Sequence, residues 1–294
     1  MYALECNNLC KNYKDLTVLN DINIKLEENK IYGFLGRNGA GKTTLLNIVA
    51  GQVFNSKGNI KVFQEEHFEN PDIIKKICYV KDKMPHLTNM KVKEIFSLSK
   101  SLFPYWDEDF KTDLVSKFNL DVNKKYNTLS NGMEAMVGVI IGLSSRAPLT
   151  IYDEAYLGLD APSRELFYEI LLNDYLEYPR TIIFSTHLID EVSNIFEEVI
   201  FLHEGKIRLH EEMDTINEKS YIISGEENLL KDKLKDKNIL EIKDLGIVKK
   251  AYVYNHISME EQKDMTNQGL SLKHMTLQEL FIKLTSKYIA EEVK

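Results

Sequence analysis

Short apolar runs bounded by glycine or charged residues recur along the chain, and they carry most of its structural prediction. Ile31-Tyr32-Gly33-Phe34-Leu35, Leu149-Thr150-Ile151-Tyr152 and Thr181-Ile182-Ile183-Phe184-Ser185-Thr186 are such runs, each of strand length. Apolar stretches this short, without polar alternation, belong to strands buried on both faces. Leu45 to Ala50, closed by Gly51, predicts a helix with its stop signal. Val92 to Leu102, Asp107 to Phe118 and Ala135 to Leu143 predict a helix-rich stretch between the first and the second of these strands. Beyond Leu202-His203-Glu204-Gly205-Lys206-Ile207, a hairpin-like segment, the pattern changes. Ser220 to Ser224 and Ile247 to Tyr254 are β-like, while Glu226 to Lys237 and Leu277 to Glu292 are charged and helical. The Lys, Glu and Asp runs there read as solvated helix faces. Internal repeats and low-complexity linkers are absent from the sequence.

Composition narrows the class. The chain has 294 residues, 44% of them hydrophobic, which suits a globular protein of about two domains. No apolar stretch approaches the ~18–20 residues that a membrane span requires; Val137 to Leu143, for one, is seven. The N-terminus, MYALECNN, carries Glu5 where a secretion signal is basic, and no apolar region follows, so no signal peptide is expected. Cys6, Cys10 and Cys78 are an odd set for a disulfide framework and predict reduced thiols in a cytosolic protein. With 37 Lys+Arg against 45 Asp+Glu the net charge is −8, which argues against a nucleic-acid partner.

Candidate chemistry centres on Gly36-Arg37-Asn38-Gly39-Ala40-Gly41-Lys42-Thr43-Thr44, a match to G-x-x-x-x-G-K-[ST] lying between a predicted strand and a predicted helix. Glycines let successive N–H groups curl around a phosphate, and the following helix turns its positive end to the same anion. Lys42 is placed to reach the β- and γ-phosphates of a nucleotide as a point charge, and the Thr43 hydroxyl to ligate Mg²⁺. Asp153 and Glu154 close the strand-like run from Leu149. A carboxylate at that position suits a water-mediated hold on Mg²⁺ (Asp153), and its neighbour suits polarisation of an attacking water (Glu154). These elements predict a nucleotide and Mg²⁺ as ligands; ATPases and GTPases share them, so the kind of nucleotide and its use depend on the remaining sequence.

Leu129-Ser130-Asn131-Gly132-Met133, about twenty residues before Asp153, resembles the LSGGQ signature of the ATP-binding cassette (ABC) family. Tyr13, Gly158-Leu159-Asp160 and His187 stand where that family has its adenine-stacking aromatic, its D-loop and its switch histidine. The resemblance covers residues 1 to about 210 and implies an α/β phosphate-loop (RecA-like) core. An N-terminal antiparallel β subdomain and a helical subdomain at about 83–146 would complete a nucleotide-binding domain of residues 1–213. Residues 214–294 are left as a small α+β appendage. It further implies that Ser130 and Gly132 complete the ATP site of a second ATPase subunit, in a homodimer or heterodimer.

The signature wording, Phe103-Pro104-Tyr105-Trp106 and the Leu270 to Phe281 stretch resemble exporter-type ATPase subunits. Such subunits serve separate integral permeases of the ABC-2 class from the inner face of the cell membrane, with Phe103, Tyr105 and Trp106 either candidate contacts or core-filling aromatics. The alternatives are a soluble ABC ATPase of ribosomes or DNA, and a regulatory subunit with a degenerate site. Asp82 stands at the family's Q-loop glutamine and is a candidate Mg²⁺ ligand. Met133, Asn131, Glu134 and Ala155 also depart from the pattern, whereas Lys42, Glu154, Ser130 and His187 keep to it.

Overall fold

The computed structural model describes residues 1–246 and 248–292; Ile247, predicted to open a strand, lies outside the described residues. The chain forms two compact units, one of Met1–His187 with Ile195–His210, the other of Leu188–Asn194 with the chain from Glu211 onward.

In chain order the elements begin with β1 (Tyr2–Tyr13), β2 (Leu16–Glu27), β3 (Ile31–Leu35), α1 (Lys42–Val49), β4 (Lys57–Val62), α2 (Pro71–Ile74) and β5 (Ile77–Lys81). Then follow α3 (Val92–Leu102), α4 (Glu108–Lys117), α5 (Asn131–Ser145), β6 (Leu149–Asp153), α6 (Ala161–Glu177) and β7 (Thr181–Thr186). A short α7 (Ile189–Val192) precedes β8 (Glu198–His203) and β9 (Lys206–Glu212).

One sheet of the first unit has the order β5-β6-β7-β3-β8-β9, and the neighbours from β5 to β8 run parallel. Every residue of β3, β6, β7 and β8 is buried, as expected of parallel strands covered on both faces. A second, antiparallel sheet has the order β2-β1-β4. Leu4, Leu9, Leu19 and Ile22 of its strands share a core with Tyr32, Leu45, Ile48 and Ile151 of the parallel sheet and α1. Behind β6 and β7 lies an aromatic layer, in which Phe167 of α6 sits 5.3 Å from the Tyr152 ring and 6.2 Å from Phe184.

Local sequence sets the helix starts. Asp107 and Asp160 cap α4 and α6 by accepting from the Phe110 and Ser163 amides at 2.8 and 3.0 Å. Arg146 ends α5 in a left-handed conformation (φ 42°) and fastens the helical segment to the core. Its guanidinium pairs with Asp107 and Asp174, each at 2.9 Å, and stacks 3.5 Å from the Tyr178 ring centre.

The second unit continues with α8 (Met213–Lys219), β10 (Ser220–Gly225), α9 (Glu227–Lys233), β11 (Ile239–Asp244), β12 (Lys249–Tyr254), α10 (Met259–Asn267), β13 (Ser271–His274) and α11 (Leu277–Glu292). Its sheet has the order β11-β12-β10-β13 with every neighbour antiparallel. A β-α-β-β-α-β chain with that strand order is a split β-α-β arrangement. Tyr221, Ile223, Ala251 and Val253 of the sheet form its core with Leu230 and Leu234 of the α9 region and Met265 of α10.

His67, in the first unit, is 1% exposed, and its Nε2–H donates to the Ile48 carbonyl at 2.7 Å. Burial holds this ring below the ordinary histidine value of 6.5. The unfolded chain therefore takes up the proton first, so stability present above pH ~6.5 is lost as the pH falls below it. We expect denaturant midpoints to fall between pH 7 and pH 5, and to fall less steeply in His67→Gln, which keeps a donor but does not titrate. Equal slopes in the two proteins would remove His67 from this role.

Candidate functional site

Four neighbouring parallel strands, β5, β6, β7 and β3, end on the same side of their sheet, and their C-terminal loops carry most of the predicted site residues. This end of an open parallel sheet is where crevices for ligands form.

The loop from Gly36 to Gly41 leaves β3 and enters α1. Gly41 adopts φ 106°, and a Cβ there would lie 2.8 Å from Leu19 Cδ2, so the turn into the helix requires glycine. Arg37, Asn38 and Gly39 are exposed at the loop's tip, and Ala40 is buried beneath it. Thr43 is exposed in the first turn of α1, beside the half-buried Thr44. Lys42 is 6% exposed; its ammonium donates to the Gly36 carbonyl at 2.6 Å and lies 3.3 Å from the Arg37 carbonyl. Burial pulls its pKa below the usual lysine value, and the charges of Glu154 and Asp153 oppose that pull.

Asp153 ends β6, is buried, and accepts a hydrogen bond from the Tyr79 hydroxyl at Oδ2, 2.9 Å away. Burial and the adjacent carboxylate push the Tyr79 phenol pKa up, so it stays a donor. Glu154 follows with φ 56°, an uncommon conformation for a residue with a side chain. Its amide donates to the Ser185 carbonyl at 3.0 Å, and its Oε1 accepts from His187 Nδ1 at 3.2 Å. Strain of this kind, about 1–3 kcal/mol, persists where the surroundings over-determine it, and here it aims a carboxylate at a histidine.

Just past the end of β5, Asp82 is exposed, and its amide donates to the Asp153 carbonyl at 3.2 Å, so it stands beside that carboxylate residue. The adjacent Lys81 reaches the other way: its ammonium donates to Asn47 Oδ1 at 2.8 Å and Gln52 Oε1 at 2.6 Å, bridging β5 to α1 and its end. Sequence reading missed Tyr79 and Lys81. Their only signal is alternation along Ile77–Lys81, which sends both side chains to one face.

Tyr13 ends β1, is 45% exposed, and carries the Lys11 ammonium 4.7 Å from its ring centre. Ser130 caps α5 by accepting from the Met133 amide at 3.3 Å. The turn it begins is packed on the Gly158 loop: a Cβ on Gly132 would meet the Gly158 carbonyl at 3.1 Å, and one on Gly158 would meet the Asn131 carbonyl at 2.6 Å. The serine turn and the Gly158-Leu159-Asp160 loop are thus one backbone-to-backbone joint. Tyr105 is 54% exposed and lines a cavity of about 360 Å³ with Arg146 and Tyr178. Trp106 donates to Glu108 at 2.9 Å, and Phe103 is half-buried.

A family model described as ABC transporter matches residues 19–157. Over 226 residues the chain is 33% identical to the putative ABC transporter ATP-binding protein AlbC of Bacillus subtilis (strain 168), covering 72% of this chain and 94% of that protein. It is 24% identical to the bacitracin transport ATP-binding protein BcrA of Bacillus licheniformis, covering 96% of each. Among solved structures, the dimeric post-hydrolysis state of the ATP-binding cassette MJ0796 with ADP and Pi superposes with a TM-score of 0.61 at 17% identity. That match covers 71% of this chain and 98% of the other, and it shows a shared fold.

The joint at Gly158 is open to a direct check. Gly158→Val forces a side chain against the Asn131 carbonyl and should cost about 1–3 kcal/mol of stability, read as a lower urea midpoint. An unchanged midpoint would show that the two loops move independently.

Proposed function

The chain belongs to the ABC transporter family, and from that premise we propose how its site binds and hydrolyses ATP as the nucleotide-binding subunit of a membrane transporter. The observation that carries the reading is the convergence of Lys42, Asp153, Glu154 and His187 at the ends of adjacent parallel strands.

Lys42 would exchange the loop carbonyls for the β- and γ-phosphate oxygens of ATP, with the loop amides closing around the β-phosphate. The donor set suits Mg²⁺, which keeps much of its shell as water and phosphate oxygen and takes one or two protein oxygens. Thr43 and Asp153 would supply those, Asp153 with its Oδ2 already held by Tyr79. Bound there, the ion would neutralise charge on the β- and γ-oxygens. Glu154 would orient and polarise the water that attacks the γ-phosphorus, and His187, bonded to the same carboxylate, would hold it in line.

Asp82 would stand near the metal's waters, one methylene shorter than a glutamine, and Tyr13 would stack on the adenine. Ser130 and Gly132 would act on the ATP of a second subunit, at the positive end of α5. ATP binding would then favour a closed pair and hydrolysis an open one, a two-state element that a permease can follow. A bacitracin-transport relative spanning 96% of this chain, C-terminal unit included, supports a transport role, which we read as that of an exporter with a partner of the ABC-2 class. Among the described residues no helix is long and apolar enough to cross a membrane. In this reading the membrane helices belong to that partner, with this subunit at its cytoplasmic face.

Glu154→Gln should keep ATP binding, slow hydrolysis at least ~10²-fold (about 2.7 kcal/mol of barrier) and accumulate an ATP-dependent dimer, as seen by turnover assay and sedimentation. Wild-type turnover in that variant would exclude Glu154 from its role. Lys42→Ala should weaken ATP binding itself, at least tenfold by titration calorimetry; unaltered affinity would count against the loop assignment.

A further inference from the structure

In the second unit, β11 is an edge strand, paired with β12 on one side. The hairpin is closed by the Leu245 amide donating to the Val248 carbonyl at 3.1 Å, and Lys243↔Lys250 and Glu241↔Tyr252 are opposed pairs. Backbone groups of an antiparallel strand alternate in direction, so residues 241, 243 and 245 bond toward β12. Ile242 and Asp244 therefore present their N–H and C=O groups to the free side. An exposed edge is a template for another strand, and the charges on this one, with α11 packed beside it, limit which strand it accepts. This one carries apolar side chains as well: Ile242 is 51% exposed and Leu245 64%. The opposite edge, β13, is four residues long and ends in Lys273 and His274.

The charges on β11 select the partner. Glu241 and Lys243 flank Ile242. Pairing with an identical antiparallel strand must match outward-facing residues, which leaves only every second register. Centred on Glu241, Lys243 or Asp244, such a register sets two like charges face to face. Centred on Ile242, it sets Glu241 opposite Lys243 of the second copy, twice. Lys243 also has reason to accept a further acid. It lies directly opposite Lys250, both ammoniums stand over the Tyr252 ring (5.7 and 5.3 Å), and Lys283, 2.6 Å from Glu241, adds a third cation there. Like charges opposed across a sheet are destabilising.

We propose that β11 pairs antiparallel with β11 of a second copy of this chain about a two-fold axis at Ile242, joining two four-stranded sheets into one of eight. The pairing goes beyond the cassette reading and does not rest on it. Where two cassettes also close on ATP, the tethered second units gain effective concentration for it.

The test uses full-length chain carrying Cys10→Ser, since Cys6 and Cys78 are buried. Opposed Cα atoms in such a pair lie about 5.5 Å apart, within disulfide range. On mild oxidation without nucleotide, Ile242→Cys should give a covalent dimer several-fold above Lys263→Cys, a control on the exposed face of α10. Added to Ile242→Cys, Lys243→Glu or Glu241→Lys should each lower the yield several-fold, and an equimolar mixture of the two should restore it as a mixed dimer. If Glu241→Lys misfolds through loss of its bond to Lys283, the Lys243→Glu defect should still be relieved by molar salt, which screens the repulsion. Yield at the level of the control, indifference to either charge change, or failure of both mixing and salt to restore it would overturn the proposal. ATP titration of the same proteins reports on the cassette separately, so failure of one reading leaves the other measurable.

Discussion

A lysine ammonium taken out of water has to be compensated locally, and the first unit is organised around that requirement. Lys42 sits at the start of α1, 6% exposed, and donates to carbonyls of its own loop within the field of Asp153 and Glu154. Those carboxylates come from a different part of the chain, at the end of β6, and reach Lys42 because β6 and β3 both flank β7 in one parallel sheet. Burial of both faces of these strands fixes their register, and the register fixes the relative heights of the loops that follow. A buried cation beside two carboxylates is also poised for exchange, because a polyanion offers it stronger acceptors than neutral carbonyls.

The layers behind the site hold that geometry. Tyr152 and Phe184 stack at 5.2 Å on adjacent strands, and both meet Phe167 of α6. Glu154 and His187 extend the same two strands, so the aromatic layer and the carboxylate–histidine contact share one scaffold. On the other side of β6, Tyr79 fixes one oxygen of Asp153. The site is therefore built on strand ends, which are more rigid than free loops. The serine turn differs: it rests on the Gly158 loop through backbone contacts, so those two segments are expected to move together.

The second unit repeats one lesson of the first at lower density. Its core of Tyr221, Ile223, Ala251, Val253, Leu230, Leu234 and Met265 lies on one face of the sheet, and the other face carries lysines around Tyr252. Lys283 is buried there against Glu241, which orders both side chains before any partner arrives.

Much of this was readable from residue order alone. The glycine loop, Lys42, Thr43, the Asp153-Glu154 pair and the buried strands leave local signatures, because turn chemistry and hydrophobic runs act over a few residues. Val92–Leu102 was predicted with its observed bounds, while α5 begins four residues before the predicted Ala135, since Ser130 caps it. Other features needed the fold. Tyr79 and Lys81 take on meaning only when β5 is laid beside β6, and Arg146 only when Asp107, Asp174 and Tyr178 surround it. The left-handed turn at Glu154 belongs to a residue with no glycine signal, so nothing local announces it. The strand order that makes residues 220–274 a split β-α-β unit, and β11 an edge, comes from contacts between segments distant in sequence. The sequence determined which local pieces form and which chemistry they carry. Tertiary pairing decided which pieces meet, because that depends on burying apolar faces together over long sequence separations, a global balance that no short window contains.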